Sequence, residues 1–258
     1  MEADVAQQAR SRRAVRGVDS SPPQTAQIAA TLQRYYSALY EAHGPQHWWP
    51  AQTPLEVIVG AYLVQATAWS SVERSLANLR GAGCLTLAGL RRTPERELQA
   101  LIRPSGFVHR KAEALLAFVQ FLDAQHGGSL TRLSRQYPGQ TRQQLLALPG
   151  VGPETADAIL VYALGHPSVI VDEYLRRVAL RHGLIPAVVR GWNGHLRTAA
   201  EQMLATRAPA AALADAQEFH ALIVAVGKRH CQAQPRCAGC PLEKFLPENG
   251  PCPDARHG

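Results

Sequence analysis

The sequence lacks any apolar run long enough to cross a bilayer. Runs such as residues 145–151 and 222–226 fall far short of the ~20 residues that a membrane-spanning helix needs. The N-terminal arginines are followed by no apolar stretch, so no secretory signal is expected. These two absences argue against a membrane partner and predict a cytoplasmic protein.

Strand signals are also scarce, since only residues 168–171 form a short β-branched run, and no internal repeat is visible. Apolar residues instead recur at helical spacing from Gln27 onward. The spacing predicts one helix that starts at Pro54, behind the capping Thr53, and others over 27–40, 70–80, 95–102, 109–125, 142–147, 153–164, 173–182, 196–205 and 211–226. The predicted fold class is all-α.

The chain carries an excess of positive charge. Its formal net charge is +7 and its sequence pI is about 9.5. This balance favours a polyanionic partner, with nucleic acid ahead of an anionic membrane. Residues 1–25 are polar, with several arginines followed by the Ser-Ser-Pro-Pro stretch at 20–23, and we expect a disordered basic arm there. An arm without any role is the alternative.

Four of the five cysteines lie in the last 28 residues, in the pattern C-x5-C-x2-C-x11-C. They are Cys231, Cys237, Cys240 and Cys252. A disulfide framework would be spread along a secreted chain, whereas a terminal cluster with a C-x2-C core is typical of a metal or iron–sulfur site. Zinc remains an alternative, because four thiolates also suit tetrahedral zinc.

The segment Leu-Pro-Gly-Val-Gly-Pro-Glu-Thr-Ala over residues 148–156 predicts a tight turn between two helices. Gly150 and Gly152 can adopt positive φ and expose backbone N–H groups, while Val151 can insert into the core. Pro153 suits the first position of the following helix. The N–H groups and the helix N-terminus together would bind an anion such as a phosphate.

The segment over residues 148–156 resembles the helix-hairpin-helix motif of DNA glycosylases related to endonuclease III, the HhH-GPD family. The resemblance continues in the Gln-Ala-Thr segment at Gln65, in the Gly-Phe-Val-His-Arg-Lys-Ala segment from Gly106, in the apolar run that ends at Asp172, and in the cysteine cluster. It covers residues from about 30 to the C-terminus.

The resemblance implies two helical subdomains on either side of a DNA-binding cleft. We expect residues 53–166 to form a six-helix barrel with the hairpin, and residues 26–52 to join residues 167–258 in a cluster subdomain. It also implies a monomeric base-excision enzyme, associated with the nucleoid, that flips a damaged base out of double-stranded DNA and excises it.

The resemblance places the catalytic aspartate at Asp172, where a carboxylate would stabilise positive charge on the sugar and orient water. A helix cap without catalytic function is the alternative for this residue. Glu154 stands where the family's strand-cleaving members carry a lysine, and a carboxylate cannot form an imine. This predicts a monofunctional glycosylase. A bifunctional enzyme that uses another amine, and a non-catalytic binder of abasic or distorted DNA, stay open.

The remaining site residues follow from the same resemblance. The predicted DNA contacts are Gln65, Gly150, Val151, Gly152, Thr155, His109, Lys111, Lys228 and Arg229. The predicted aromatic pocket, which would stack an electron-poor alkylated purine, is Trp48, Trp49, Trp69, Tyr36 and Tyr40, with a place in the core as the alternative. The four clustered cysteines would bind a [4Fe–4S] cluster, although their last gap is longer than is usual in the family.

Overall fold

The computed structural model describes residues 25–186 and 192–254. Within these ranges the chain is helical and contains no strand. The α-helices are α1 (Thr25–His43), α2 (Pro54–Leu63), α3 (Trp69–Gly81), α4 (Leu87–Arg92), α5 (Glu95–Leu101), α6 (Val108–His126), α7 (Leu130–Ser134), α8 (Pro138–Leu146), α9 (Pro153–Ala158), α10 (Glu173–Arg181), α11 (Trp192–Leu204) and α12 (Pro209–Arg229). The all-α prediction is confirmed. The predicted basic arm lies outside the described residues, apart from Thr25.

The helices that the sequence analysis missed are short. Helices α4 and α7 have six and five residues, too few to show a helical period. The predicted helix over 153–164 is present in a modified form, because α9 passes at Ile159 into a π-helical turn, Ile159–Ala163. Single π-turns of this kind often mark functional sites, and this one lies beside the cleft described below.

Side-chain caps define several helix starts. The Thr53 hydroxyl accepts a hydrogen bond from the Glu56 amide, with Pro54 at the first helical position, as the sequence predicts. Thr86 and Ser129 cap the two missed helices in the same way. At the start of α10 the cap is the side chain of Asp172, which accepts from the Leu175 amide.

The buried apolar side chains form two clusters. The first contains residues of α2 to α9 and of the π-turn, together with Ile170. The second contains residues of α1, α10, α11 and α12, together with Val169, Cys231 and Leu242. Each cluster supplies the hydrophobic burial that stabilises one group of helices. The segment boundaries given in the sequence analysis stay predictions.

Helix α12 is the central helix of the second cluster. By length and composition alone it could cross a bilayer, being 21 residues long, but over half of its most apolar stretch is buried inside the fold. Its buried residues include Phe219, His220 and Leu222, all packed within the protein. At Gly227 it comes so close to α10 that an added Cβ would lie 2.2 Å from the Tyr174 ring. The glycine therefore permits the close approach of the two helices.

A buried carboxylate on α9 connects the two groups of helices. Asp157 is 1% exposed. Its Oδ1 accepts from Arg142 Nε of α8 at 2.8 Å, and its Oδ2 pairs with the guanidinium of Arg197 on α11. The Ser168 hydroxyl donates to the same carboxylate at 3.2 Å. Because its partners come from both groups, this network fixes how α11 sits against the hairpin helices.

Candidate active site

The predicted hairpin is formed by the end of α8, residues 147–152 and the start of α9. Gly150 has a φ of +74° and Val151 is buried in the first cluster, as expected. Gly152 differs from the prediction, because its φ is −92° and it caps α9 in an extended conformation. An added Cβ at Gly152 would meet nothing within 4 Å. The glycine leaves open space in front of the amides that begin α9.

The Gln65 side chain joins the end of α2 to this hairpin. Its Nε2 donates to the Gly150 carbonyl at 2.9 Å and to the Thr155 hydroxyl at 3.1 Å. Thr155 itself is buried. Two segments predicted to touch DNA are therefore in direct contact, although 85 residues separate them in the chain.

Two strained loops lie side by side next to Gln65. Ala66 and Phe107 have φ values of +50° and +48°, a region that L-residues rarely occupy. The Thr67 hydroxyl donates to the Ser105 carbonyl at 2.7 Å and so ties the loops together. Phe107 is 64% exposed, which is unusual for a large apolar side chain. No separate role is predicted for Phe107 from the sequence, although it lies within the Gly-Phe-Val-His segment. His109 is exposed at the start of α6.

The prediction that Lys111 contacts DNA is wrong, because its ammonium group is buried beneath these loops. Its Nζ donates to the Leu63 carbonyl at 2.8 Å, to the Thr67 hydroxyl at 2.7 Å and to the Ser105 carbonyl at 2.8 Å. An ammonium has three donors, and here all three are used. Burial lowers the pKa of Lys111. The side chain fixes the geometry of the two loops from below.

A cleft runs between the hairpin, the loop after α2, the start of α10 and one side of α12. Polar and ionisable side chains line this cleft, and they include Gln65, Glu154, Thr155, Asp172, Glu173, Tyr174, Arg177, His220 and Lys228. Asp172 is 4% exposed, and its Oδ1 accepts from the Leu175 amide at 2.7 Å. One carboxylate oxygen is thereby fixed by the helix start.

The electrostatics of the cleft centre on Asp172. Burial raises its pKa to about 7, the Leu175 amide opposes that rise, and the negative charge of Glu154 adds to it. Glu154 is exposed at the cleft wall, and partial loss of solvation there, with the negative charge of Glu173, raises its pKa as well. Titration near neutrality is a frequent property of catalytic carboxylates.

The structure also brings His220 to Asp172, a contact that the sequence analysis did not anticipate. His220 Nε2 lies 3.7 Å from Asp172 Oδ2, and its Nδ1 lies 2.8 Å from the Tyr162 hydroxyl. Burial, with a smaller effect of Lys228, lowers the pKa of His220 to about 4, so the imidazole is neutral near pH 7. No local motif signals this residue, since 48 positions separate it from Asp172.

Three tryptophans predicted for the base pocket line the cleft. These are Trp48, Trp49 and Trp69. Trp49 is held between two rings, edge-to-face with Trp69 at 5.6 Å and tilted against Tyr162 at 5.0 Å. The Lys228 ammonium lies 5.2 Å from the centre of the Trp48 ring. Arg229, the neighbour of Lys228, is exposed, and its Nη1 lies 3.3 Å from His43 Nδ1.

The prediction that Tyr36 and Tyr40 belong to this pocket is wrong, because both lie outside the cleft walls. The Tyr36 hydroxyl donates to Asp215 at 2.9 Å, and its ring packs edge-to-face against Phe219 in the second cluster. Tyr40 is 44% exposed on α1 and contacts the Tyr36 ring. Tyr36 therefore serves the packing of α1 on α12.

Three of the clustered cysteines, Cys231, Cys237 and Cys240, line one small cavity together with Arg181. Arg181 Nη1 donates to Cys231 Sγ at 3.1 Å, and burial raises the pKa of the Cys237 and Cys240 thiols. In the part of the chain that the structure describes, no three His, Cys, Asp or Glu side chains converge as a single metal ion requires.

The long segment before Cys252 folds back onto α10. The Cys252 amide donates to the Arg181 carbonyl at 2.9 Å. Two residues later Asp254 pairs with Arg176 Nη2 at 2.6 Å, and both side chains are buried. Arg181 thus contacts Cys231 through its guanidinium and Cys252 through its carbonyl, which brings the first and last cysteines of the pattern to the same residue.

A helix-hairpin-helix beside a cleft with one buried carboxylate defines a helical enzyme that acts on DNA. A model of the HhH-GPD superfamily of base excision DNA repair proteins matches residues 59–190, and the chain belongs to this family. A Methanocaldococcus jannaschii protein described as a DNA repair glycosylase is 35% identical over 215 residues, which are 83% of this chain and 94% of that protein. The protein is a DNA glycosylase of base excision repair.

Solved structures agree with this assignment. A non-covalent endonuclease III–DNA complex superposes with a TM-score of 0.68 at 22% identity, over 85% of this chain and 95% of that one. The 3-methyladenine DNA glycosylase of H. pylori, bound to 1,N6-ethenoadenine, gives a TM-score of 0.62 at 25% identity, over 80% and 98% of the two chains. The predicted all-helical fold of the endonuclease III type is therefore confirmed.

Proposed function

We propose that this glycosylase is monofunctional and hydrolyses the N-glycosidic bond with Asp172 as its catalytic carboxylate. One observation carries the proposal: the buried Asp172 and Glu154 line the same cleft. Glu154 occupies the position at which a strand-cleaving relative would need an amine. The second sugar-facing position is thus occupied by a group that cannot form a covalent imine.

In the proposed reaction the bond between the base and C1′ of the sugar is largely broken in the transition state, before the bond to water forms. The base leaves with the bonding electron pair and is protonated by solvent, while positive charge develops on the sugar. The Asp172 carboxylate, fixed through Oδ1 by the Leu175 amide, stabilises that charge and orients a water that attacks C1′; the carboxylate accepts the proton that this water loses and passes it to solvent. The products are a free base and an intact strand with an abasic site.

Substitution of the carboxylate tests this role. Asp172→Asn keeps the cap, because an amide oxygen can also accept from Leu175. We expect DNA affinity to be retained and single-turnover excision to fall by a factor on the order of 10² or more. Excision at the native rate would leave Asp172 as a helix cap only.

The number and the positions of the lysines support the monofunctional proposal. The chain has three lysines, Lys111, Lys228 and Lys244, and all three are described. Lys111 is buried with its donors used, and Lys244 lies near Phe245, away from the cleft. Lys228 lines the cleft and makes a bifunctional enzyme the second candidate function.

Borohydride trapping separates these two functions. We expect little or no adduct between the native protein and a lesion duplex. Efficient trapping that disappears in Lys228→Met and persists in the matched control Lys244→Met would overturn the monofunctional proposal and identify the amine. Absence of excision on every lesion would instead favour the non-catalytic binder.

We further propose that the base pocket takes an N-alkylated purine. Trp48 and Trp69 offer aromatic surface in the cleft, and stacking favours an electron-poor or cationic base. The carboxylates of Glu154 and Glu173 add negative charge nearby. The related enzyme bound to 1,N6-ethenoadenine supports the same class.

A lesion panel tests the substrate class. Duplexes carrying 3-methyladenine, 1,N6-ethenoadenine, a mismatched thymine or an oxidised thymine are compared under single-turnover conditions. We expect the two alkylated adenines to be excised fastest, and Trp69→Ala to slow their excision about tenfold. Preference for a pyrimidine lesion would contradict the proposal.

For DNA binding we propose that the hairpin amides hold a phosphate, while Gln65 enters the space left by the flipped base and Phe107 contacts the opened duplex. The open space at Gly152 and the 64% exposure of Phe107 support these roles. His109, Lys228 and Arg229 are exposed and would add contacts to the backbone. We expect the protein to act as a monomer on nucleoid DNA in the cytoplasm.

We propose that the four C-terminal cysteines bind a [4Fe–4S] cluster. The donor set is four thiols, the Arg181 guanidinium faces one of them, and the folded-back tail brings in Cys252. Four thiolates also suit tetrahedral zinc, which is the alternative that metal analysis separates from the cluster.

Metal analysis tests the cluster. Protein purified without oxygen should be yellow-brown and contain about four irons per chain. Stoichiometric zinc without iron would contradict the proposal. When bound, the cluster would hold the residues around α10 and the C-terminal tail in place.

A further inference from the structure

His220 reaches the catalytic carboxylate from the opposite side to the helix cap. We propose that His220 is a positioning residue whose imidazole, held by the Tyr162 hydroxyl, presents an Nε2–H group to Asp172 Oδ2 and keeps the carboxylate charged and directed at the sugar. The inference rests on the proposed role of Asp172. It is carried by the chain of contacts from Tyr162 to His220 Nδ1 at 2.8 Å and from Nε2 to Oδ2 at 3.7 Å.

The hydrogen bonds of Tyr162 explain how the tautomer of His220 is set. The tyrosine has one proton and two neighbours, the Gln217 carbonyl at 3.1 Å and His220 Nδ1 at 2.8 Å. If the proton points to Nδ1, a neutral ring must carry its own proton on Nε2, where it can donate to Asp172. If the proton points to Gln217, Nδ1 carries the ring proton and Nε2 becomes an acceptor, which suits a protonated Asp172.

The chain of contacts from Tyr162 through His220 makes the charge of Asp172 depend on groups outside α10. The titratable and charged groups that face the Asp172–His220 pair are Glu154 from α9, Tyr162 from the π-turn, Tyr174 and Arg177 from α10, and Glu218 and Lys228 from α12. Burial keeps His220 neutral, so it acts as a hydrogen-bond donor rather than as a cation. A donor of this kind lowers the pKa of the carboxylate that accepts it.

The separation of 3.7 Å is longer than a hydrogen bond and fits the free enzyme. Asp172 Oδ1 is held by Leu175, so a small rotation of the carboxylate is enough to bring Oδ2 to Nε2. Catalytic hydrogen bonds commonly shorten when substrate binds. We therefore place the closed contact in the DNA complex.

The pH profile of excision tests the inference. Single-turnover rates are measured from pH 5.5 to 9 with the duplex that the native enzyme excises fastest in the lesion panel. His220→Met removes the donor, and we expect excision about tenfold slower at pH 6 and within about twofold of native at pH 9. His220→Gln, whose amide N–H lies near the position of Nε2, should restore the native profile. A merely structural role would lower the rate equally at all pH values.

Tyr162→Phe provides a second variant that keeps the ring and removes only the hydroxyl. It should shift the acid limb of the profile in the same direction by a smaller amount. Tyr62→Phe is the matched control, because the Tyr62 hydroxyl is buried without a hydrogen-bond partner in the described part of the chain. Profiles of His220→Met and Tyr162→Phe that run parallel to native would overturn the inference. Native-like excision by Asp172→Asn would instead remove the role of Asp172, and this inference with it.

Discussion

The Gln65 side chain amide donates to the Gly150 carbonyl at 2.9 Å, which joins the loop after α2 to the hairpin before any DNA is bound. The same amide donates to Thr155 at 3.1 Å. If Gln65 enters the duplex, it must exchange these two bonds for contacts with the orphaned base. The contact therefore holds the side chain that we propose to insert beside the turn that we propose to bind the DNA backbone.

Gln65→Ala should slow base excision about tenfold, because no side chain then fills the gap left by the flipped base. Affinity for undamaged duplex should change less than twofold, since phosphate contacts dominate that binding. Gln99→Ala, at a partly exposed glutamine on α5 whose amide donates to Glu95, is the matched control. Native-rate excision by Gln65→Ala would remove the residue from the insertion mechanism.

Phe107→Ala should also slow excision about tenfold, because an exposed aromatic ring loses its stacking against a base. Phe107→Leu keeps an apolar side chain and should retain most of the activity. Stability should be unaffected in both variants, since the side chain is exposed. Single-turnover excision and thermal unfolding of the three proteins are the measurements. Equal rates for all three would show that Phe107 does not touch the opened duplex.

Much of this fold could be predicted from the sequence, because long amphipathic helices and their caps are local features. The two missed helices are too short for a period, although Thr86 and Ser129 are recognisable caps. The error at Lys111 had a local signal too. This residue lies four positions before the buried Leu115, on the face of α6 that packs inward.

The interior of the cleft was less predictable. A motif places Asp172, but His220 reaches it, and Tyr162 reaches His220, only because α12 packs across α10 and the π-turn. Such contacts depend on tertiary packing and leave no spacing in the sequence. Tyr36 and Tyr40 show the converse, since helical spacing identifies aromatic residues without saying which cavity they face.

Asp172→Asn should stabilise the protein at alkaline pH. The pKa of Asp172 is raised by burial to about 7 in the folded state. A raised carboxyl pKa means that stability is full below the unfolded pKa near 4 and is lost as the pH rises through 7. Asparagine cannot ionise and keeps the cap. The variant should thus gain about 1–3 kcal/mol at pH 8.5 and little at pH 4.5. Equal melting temperatures at pH 8.5 would contradict the raised pKa.

Asp157→Ala should destabilise the fold by about 3–5 kcal/mol, because it leaves the guanidiniums of Arg142 and Arg197 without their buried partner. Asp123→Ala is the control, since its pair with Arg91 is largely exposed to solvent and should contribute little to stability. Denaturant unfolding of both variants measures the difference. Similar losses in the two variants would show that the Asp157 network does not hold α11 against the hairpin helices.

The most direct test of monofunctional hydrolysis compares the products with and without alkali. Native protein is incubated with an end-labelled 1,N6-ethenoadenine duplex, and half of the sample is treated with alkali before denaturing electrophoresis. We expect free base in solution, an intact strand in the untreated half, and a single break at the lesion after alkali. A strand cut without alkali, at a rate that matches base release, would contradict hydrolysis and show that an amine performs the reaction.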